Sequence, residues 1–582
     1  MPHYLPPAIS EYALLGANGQ LALISRHGSV DWLCLPQVDS PSIFAAVLGD
    51  ERHGRWFLGP HNPKDWHCHR EYHYDGRQLT SVYSTAVAEF SRTDTLNIEH
   101  GTVIFDREIR GIRGQADINH ELIIGVEYGR SAVEYNSPSI STHQCHGVDL
   151  SIDSPDIPPT IRQGDIFRVR LTWPYVLPHP AYALQTHSLE ESNEILRAAS
   201  RSAQVLRQLC HPSGAVIAAP TTSLPERPGG SRNWDYRYAW LRDSAFSIQA
   251  LARAYSLGVS PNPISYIDRW RQWVALVVRD YKIMYRADGS TDLLEQELPH
   301  LPGYRSSLPV RIGNGASEQF QADVAGEVLI ACQELRDRGY PDTYESWQAQ
   351  LIITDAMIER IADKDRGIWE MRGDLHHFTH SRAMIYGGLR AMLHQAHSHK
   401  VDTQTRSLWH HTAMDIRQEI FQNGIEPEGQ YFCQTYDSPH VDAALLQLPY
   451  SGLISWADPL LARTVERITE TLASPSGLIY RYATESGIDG VEGGEFPFLI
   501  CNFWLVEYYA RTGEMSQAHK LFSSLLQAAN DVGLLAEEYD AHNHRLWGNF
   551  PQGFSHVGVI GAAGALLDPI SKKRTVFSVA HA

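Results

Sequence analysis

Ser188-Leu189-Glu190-Glu191 marks the point where the sequence changes character. Ser188 is placed to cap a helix and Glu191, three residues on, to close a capping box. A helical stretch through Leu209 is expected to follow. N-terminal to this point the chain reads as strands. Thr102-Val103-Ile104-Phe105, Glu121-Leu122-Ile123-Ile124-Gly125-Val126 and Ile166-Phe167-Arg168-Val169-Arg170-Leu171-Thr172-Trp173 are short β-branched and aromatic runs. Turn signals at His53-Gly54, Asp75-Gly76 and Gly111-Ile112-Arg113-Gly114 separate them, the pattern of an antiparallel β-sandwich. C-terminal to it, 245–254, 322–338, 344–361, 381–397, 460–472, 498–511 and 515–529 carry apolar residues at i, i+3/i+4 and predict helices. Many helices with aromatic, polar loops between them predict a closed helical toroid. The expected division is 1–186 sandwich, 187–210 linker helix and 211–582 helical barrel domain.

Composition narrows the function. The chain has 582 residues, 43% hydrophobic and 20% charged, with a formal net charge of −18. That balance lacks the basic footprint a nucleic-acid binder needs. No run of about 18 apolar residues predicts a membrane span. Met1 to Pro7 has no basic stretch leading into an apolar one, and the seven cysteines are scattered, so reduced thiols and a cytoplasmic location are expected. The 14 Trp and 27 Tyr are enough to build a core and still supply rings on which sugars stack.

Three segments concentrate chemistry. Arg232-Asn233-Trp234-Asp235-Tyr236-Arg237-Tyr238-Ala239-Trp240-Leu241-Arg242-Asp243 alternates aromatics with charges before an apolar helix. An Arg–Asp pair at a helix start suits vicinal hydroxyls, which donate to the carboxylate and accept from the guanidinium; a buried ion pair is the alternative. Asp365-Arg366-Gly367-Ile368-Trp369-Glu370-Met371-Arg372-Gly373 sets a carboxyl beside an indole, where desolvation favours the neutral acid. Gly533-Leu534-Leu535-Ala536-Glu537-Glu538-Tyr539-Asp540 offers two adjacent carboxylates that must point different ways.

Together these segments resemble glycoside hydrolase family 15, the glucoamylase and trehalase family. Glu11-Tyr12-Ala13-Leu14-Leu15-Gly16, Gly28-Ser29-Val30-Asp31-Trp32-Leu33-Cys34-Leu35-Pro36, Ala218-Ala219-Pro220-Thr221-Thr222-Ser223-Leu224-Pro225-Glu226, Gly313-Asn314 with Glu318-Gln319, and 548–556 carry the same resemblance in order. It implies an N-terminal β-sandwich joined to an (α/α)6 barrel. It also implies exo-acting, inverting hydrolysis that releases β-glucose from non-reducing ends of malto-oligosaccharides, with trehalose or isomaltose as the alternative substrate. By the same resemblance Glu370 is the general acid and Glu537 the general base. Arg242 and Asp243 hold the terminal glucose, and Tyr236, Tyr238, Trp240 and Trp369 wall it. Inversion calls for carboxyls about 6.5–9.5 Å apart, with a water between base and anomeric carbon. Two stretches depart from the family pattern: the segment before residue 210 lacks Trp, and Met384-Ile385-Tyr386-Gly387-Gly388-Leu389-Arg390 replaces a Trp-containing run.

The expected partner is an α-linked glucose oligosaccharide or disaccharide, with no nucleic acid and no membrane, and a homo-oligomer is allowed. No cofactor and no metal is expected; His376-His377-x-x-His380 lacks a further ligand at metal spacing. A sugar phosphorylase, which needs one catalytic carboxyl and an anion pocket, is the remote alternative.

Overall fold

The computed structural model describes residues 5–135, 139–155, 157–183 and 193–568. Its N-terminal part is antiparallel β-sheet. One eight-stranded sheet runs in the order Tyr12–Ala17, Gln20–Ser25, Ser29–Cys34, Arg55–Pro60, Gln115–Val126, Ser131–Tyr135, with Ser42–Phe44 and Thr160–Arg162 on its flanks. A seven-stranded sheet is built on the hairpin Glu89–Glu99/Thr102–Arg113. Alternate residues Phe90 to Leu96 and Val103 to Ile109 of that hairpin are buried, so one face packs against the core. Three of those inward positions are charged. Asp94 joins Arg92 and Arg107 by ion pairs of 2.7 Å each, with all three side chains sealed from solvent.

Helices follow. The capping box at Ser188 lies outside the described residues. The helix that follows, α1 (Glu194–Leu209), is capped by Asn193, whose side chain accepts from the Ile195 amide. It is an integral wall rather than a free linker, because it packs on the helices 241–256 and 553–567. The remaining helices are α2 (Leu241–Ser256), α3 (Ile264–Val277), α4 (Asp323–Asp337), α5 (Tyr344–Glu359), α6 (Thr379–Ala396), α7 (Thr403–Asn423), α8 (Pro459–Thr471), α9 (Leu499–Thr512), α10 (Met515–Leu526) and α11 (Gly553–Leu567).

Contacts close a ring: α2 on α4, α4 on α6, α6 on the 3-10 segment Ala443–Ser451, that segment on α9, α9 on α11, and α11 back on α2. Six inner segments backed by six outer helices make an (α/α)6 barrel. The close α4–α6 approach explains the glycines in the departing stretch. A Cβ on Gly326 of α4 would meet the Met384 carbonyl at 2.0 Å, and one on Gly388 of α6 would meet the Gly326 Cα at 2.9 Å. The seven cysteines are free. Among the described residues no helix is long and apolar enough to cross a membrane.

Buried polar contacts tie the sheet region to the barrel. Arg237 bonds Asp235 through both of that carboxylate's oxygens and reaches across to the Ser40 carbonyl and the Tyr128 hydroxyl. Trp32 Nε1 donates to the Pro220 carbonyl at 2.7 Å, and Arg70 pairs with Asp531. Arg237 thus holds the aromatic segment from its rear while the segment's other face turns into the barrel.

Candidate active site

A cleft, about 720 Å³ counting the open solvent at its mouth, opens at the end of the barrel where loops join the inner helices. Trp234, Tyr236, Trp240, Arg242, Asp243, Trp369, Glu370 and Glu537 all line it. The two carboxylates, 167 residues apart in sequence, therefore face one space.

Tyr238 does not line the cavity, which corrects its place in the sugar wall. The segment is not one regular strand: Ala239–Trp240 pairs with Met284–Tyr285, while Asp235 makes a lone bridge to Thr222. The backbone turns Tyr238 backwards, where its hydroxyl accepts from the Gly313 amide at 3.1 Å. Trp369 lines the cavity, but its ring packs on Phe498 and Trp504, at centroid distances of 5.7 and 6.0 Å.

Glu370 sits in a loop anchored from beneath. Buried Asp365 accepts from the Ala322 and Gly367 amides and the Ser381 hydroxyl, and burial pushes its carboxyl up to about 7. Glu370 itself is in the left-handed region, φ +60°. For a residue with a Cβ this conformation costs about 1–2 kcal/mol, and such strain collects at functional sites. Its Oε1 accepts from Trp240 Nε1 and lies 3.5 Å from the Arg242 guanidinium. The indole next to it in sequence is thus not what surrounds this carboxyl: Trp240 and Arg242, brought from the first segment, are.

Arg242 forms the hub of the floor. It contacts Asp243 at 3.2 Å, donates to Gln321 at 2.8 Å and lies 3.6 Å from buried Asp323. Burial raises Asp243 to about 6, with Arg242 opposing the rise.

Glu537 is 2% exposed. Its Oε1 accepts from the Tyr236 hydroxyl at 2.7 Å. Burial pushes it up to about 8, the Glu226 carboxylate adds to the rise, and Arg481 and the Tyr236 hydroxyl oppose it. Glu538, the next residue, does not line the cavity. It opens the strand Glu538–Asp540 and accepts from the Phe496 amide at 2.8 Å. Gly548 presses on the base: a Cβ there would lie 2.7 Å from the Glu537 Cβ and 2.8 Å from its Oε2, at φ +82°. Gly548→Ala is therefore expected to swing Glu537 out of line and lower kcat at least tenfold, with KM little changed; steady-state kinetics checks it.

Glu226, Arg481, Tyr482, Asp489 and Val491 also line the cavity and were not singled out as site residues by sequence reasoning. The loop that carries Arg481 offers only glycine punctuation as a local signal. Its significance is spatial: Arg481 bonds Glu226 at 3.2 Å, pairs with Glu495 and lies 3.9 Å from Glu538. Carboxylate oxygens of these three glutamates lie within 4.8 Å of one another, the one metal-sized cluster among the described residues. The Arg481 guanidinium already supplies a positive charge there.

Residues 198–564 match the profile of glycosyl hydrolases family 15, and residues 5–147 match that of trehalase-like N-terminal regions. The chain belongs to glycosyl hydrolase family 15. It is a glycoside hydrolase. Relatives along nearly its whole length include the trehalase of Mycolicibacterium smegmatis, 31% identical over 96% of this chain and 91% of that one. The trehalase of Thermoplasma volcanium is 28% identical over 97% of this chain and 95% of its own. Among solved structures, a bacterial glucoamylase complexed with acarbose superposes over 98% of this chain and 96% of its own, with a TM-score of 0.65 at 13% identity, a likeness of fold.

Proposed function

We propose that this family 15 hydrolase is a trehalase that cleaves α,α-trehalose with inversion. The observation that carries the reading is the run of trehalase-named relatives at 28–31% identity over 93–97% of the chain. Malto-oligosaccharides, which the sequence put first, have only a fold-level likeness behind them.

In this reading Glu370 protonates the glycosidic oxygen, and Glu537 takes a proton from the water that attacks the anomeric carbon from the opposite face. Arg242 and Asp243 hold the hydroxyls of the glucose being cleaved. Tyr236 fixes the base through its 2.7 Å hydrogen bond and presents its ring edge-on to Trp240. A disaccharide leaves a second glucose, which takes the part of the cavity lined by Trp234, Arg372 and Asp489. Arg372 lies over the Trp234 ring at 4.1 Å and pairs with Glu295, so that wall is pre-set before any sugar arrives. A glucose-release panel on trehalose, maltose, maltotriose and isomaltose tests the substrate. Trehalose is expected to give the highest kcat/KM, and a higher value for maltose or maltotriose would overturn the proposal.

A further inference from the structure

Four glutamates crowd the base side of the cavity around the Arg481 guanidinium, with Arg232 further along the same wall. Glu226, Glu495, Glu537 and Glu538 are each no more than 5% exposed. Arg481 Nη2 bonds Glu226 and Glu495 and stands 3.9 Å from Glu538 Oε1, an oxygen that is buried without a hydrogen-bond partner. Glu226 borders the cavity alongside Glu537; its Oε1 accepts from Trp234 Nε1 at 3.1 Å and its Oε2 from Arg481, so its place is fixed on both oxygens. The groups facing Glu537 are then Tyr236, Glu226, Arg481, Glu495 and Glu538. The single cation among them is already hydrogen-bonded to two other carboxylates.

We propose that Glu226 is a positioning residue for the base: by engaging Arg481 and adding its own charge, it sets how tightly Glu537 holds a proton. This rests on the reading of Glu537 as the base. Burial raises Glu226 and Glu538 as well; Arg481 opposes the rise at both, and Arg232, which pairs with Asp489, opposes it at Glu226. Removing one negative member while freeing Arg481 acts in a single direction: it eases ionisation of Glu537.

The test is the pH profile of kcat/KM for α-glucosyl fluoride, whose departure needs little acid assistance, so that the acidic limb reports the base. Glu226→Gln is expected to move that limb to lower pH by about one unit, a tenfold gain in activity on its flank. A limb that stays in place while only KM or thermal stability changes would overturn the proposal and leave Glu226 as a sugar-binding or structural residue. A second measurement depends neither on the folding of Glu226→Gln nor on turnover. In wild-type protein carrying ¹³C-carboxyl glutamate, the resonance missing from Glu537→Gln is expected to titrate well above 4.5. Titration near 4.5 would overturn the proposal. Absence of fluoride hydrolysis by wild type would instead count against the hydrolytic reading of the site, with the NMR titration still deciding the cluster.

Discussion

Glu370→Gln is expected to lower trehalose turnover by about 10²–10⁴-fold, the usual worth of general acid catalysis, while sparing most turnover of α-glucosyl fluoride. The two substrates share the glucose that is cleaved and differ in what leaves. A sugar hydroxyl departs poorly as an alkoxide and needs the proton; fluoride does not. Glutamine keeps the acceptor oxygen that Trp240 Nε1 engages and removes only the transferable proton, so the loop should stand. Equal losses on both substrates would show that Glu370 binds glucose or holds the loop rather than protonating the bond.

Glu537→Gln is expected to lower turnover of both substrates by a similar ~10²–10⁴-fold, because water must be activated whichever group leaves. It should also remove the acidic limb of the kcat/KM profile. A base works as the carboxylate, so activity falls as pH drops through its folded value. Burial and Glu226 push that value to about 8, well above the ordinary 4.5, which places the limb near neutral or above. Glu538→Gln should retain an acidic limb, since Glu538 faces the Phe496 amide and Arg481 and not the cavity. A limb that vanished in Glu538→Gln and persisted in Glu537→Gln would exchange the two roles.

Much of this site was readable because its parts lie in dense local motifs. The segment 232–243 supplies Tyr236, Trp240, Arg242 and Asp243, and 365–373 supplies Trp369 and Glu370, all lining one cavity. Tyr238 was misplaced because alternation assumes a strand, and only two residues of that segment pair as one. Glu226 and Arg481 did not stand out as a site because their meaning arises from a contact 255 residues apart in sequence. The same physics governed the helices. The outer helices α1, α5, α8 and α10, each with one buried and one wet face, announced themselves through spacing, whereas α3, with a similar stripe from Tyr266 to Val277, was missed. The inner helix Gly553–Leu567 is buried at nearly every position, so its apolar residues carry no period. The inner segment Ala443–Ser451 is 3-10 and contains Pro449, which hides it from an α-helical template. The outer helix Thr403–Asn423 buries only Trp409, Ala413, Ile416 and Ile420 against the barrel, too sparse an apolar stripe to stand out.

The central claim, a trehalase in which two opposed carboxylates invert one anomeric centre, is tested most directly by following anomeric protons during the first minutes of trehalose hydrolysis. Both centres of trehalose are α. Inversion at one and departure of the other untouched predict equal amounts of β- and α-glucose before mutarotation sets in. Retention, with a nucleophile on the anomeric carbon and carboxyls only about 5–5.5 Å apart, would release α-glucose alone, and that result would contradict the account.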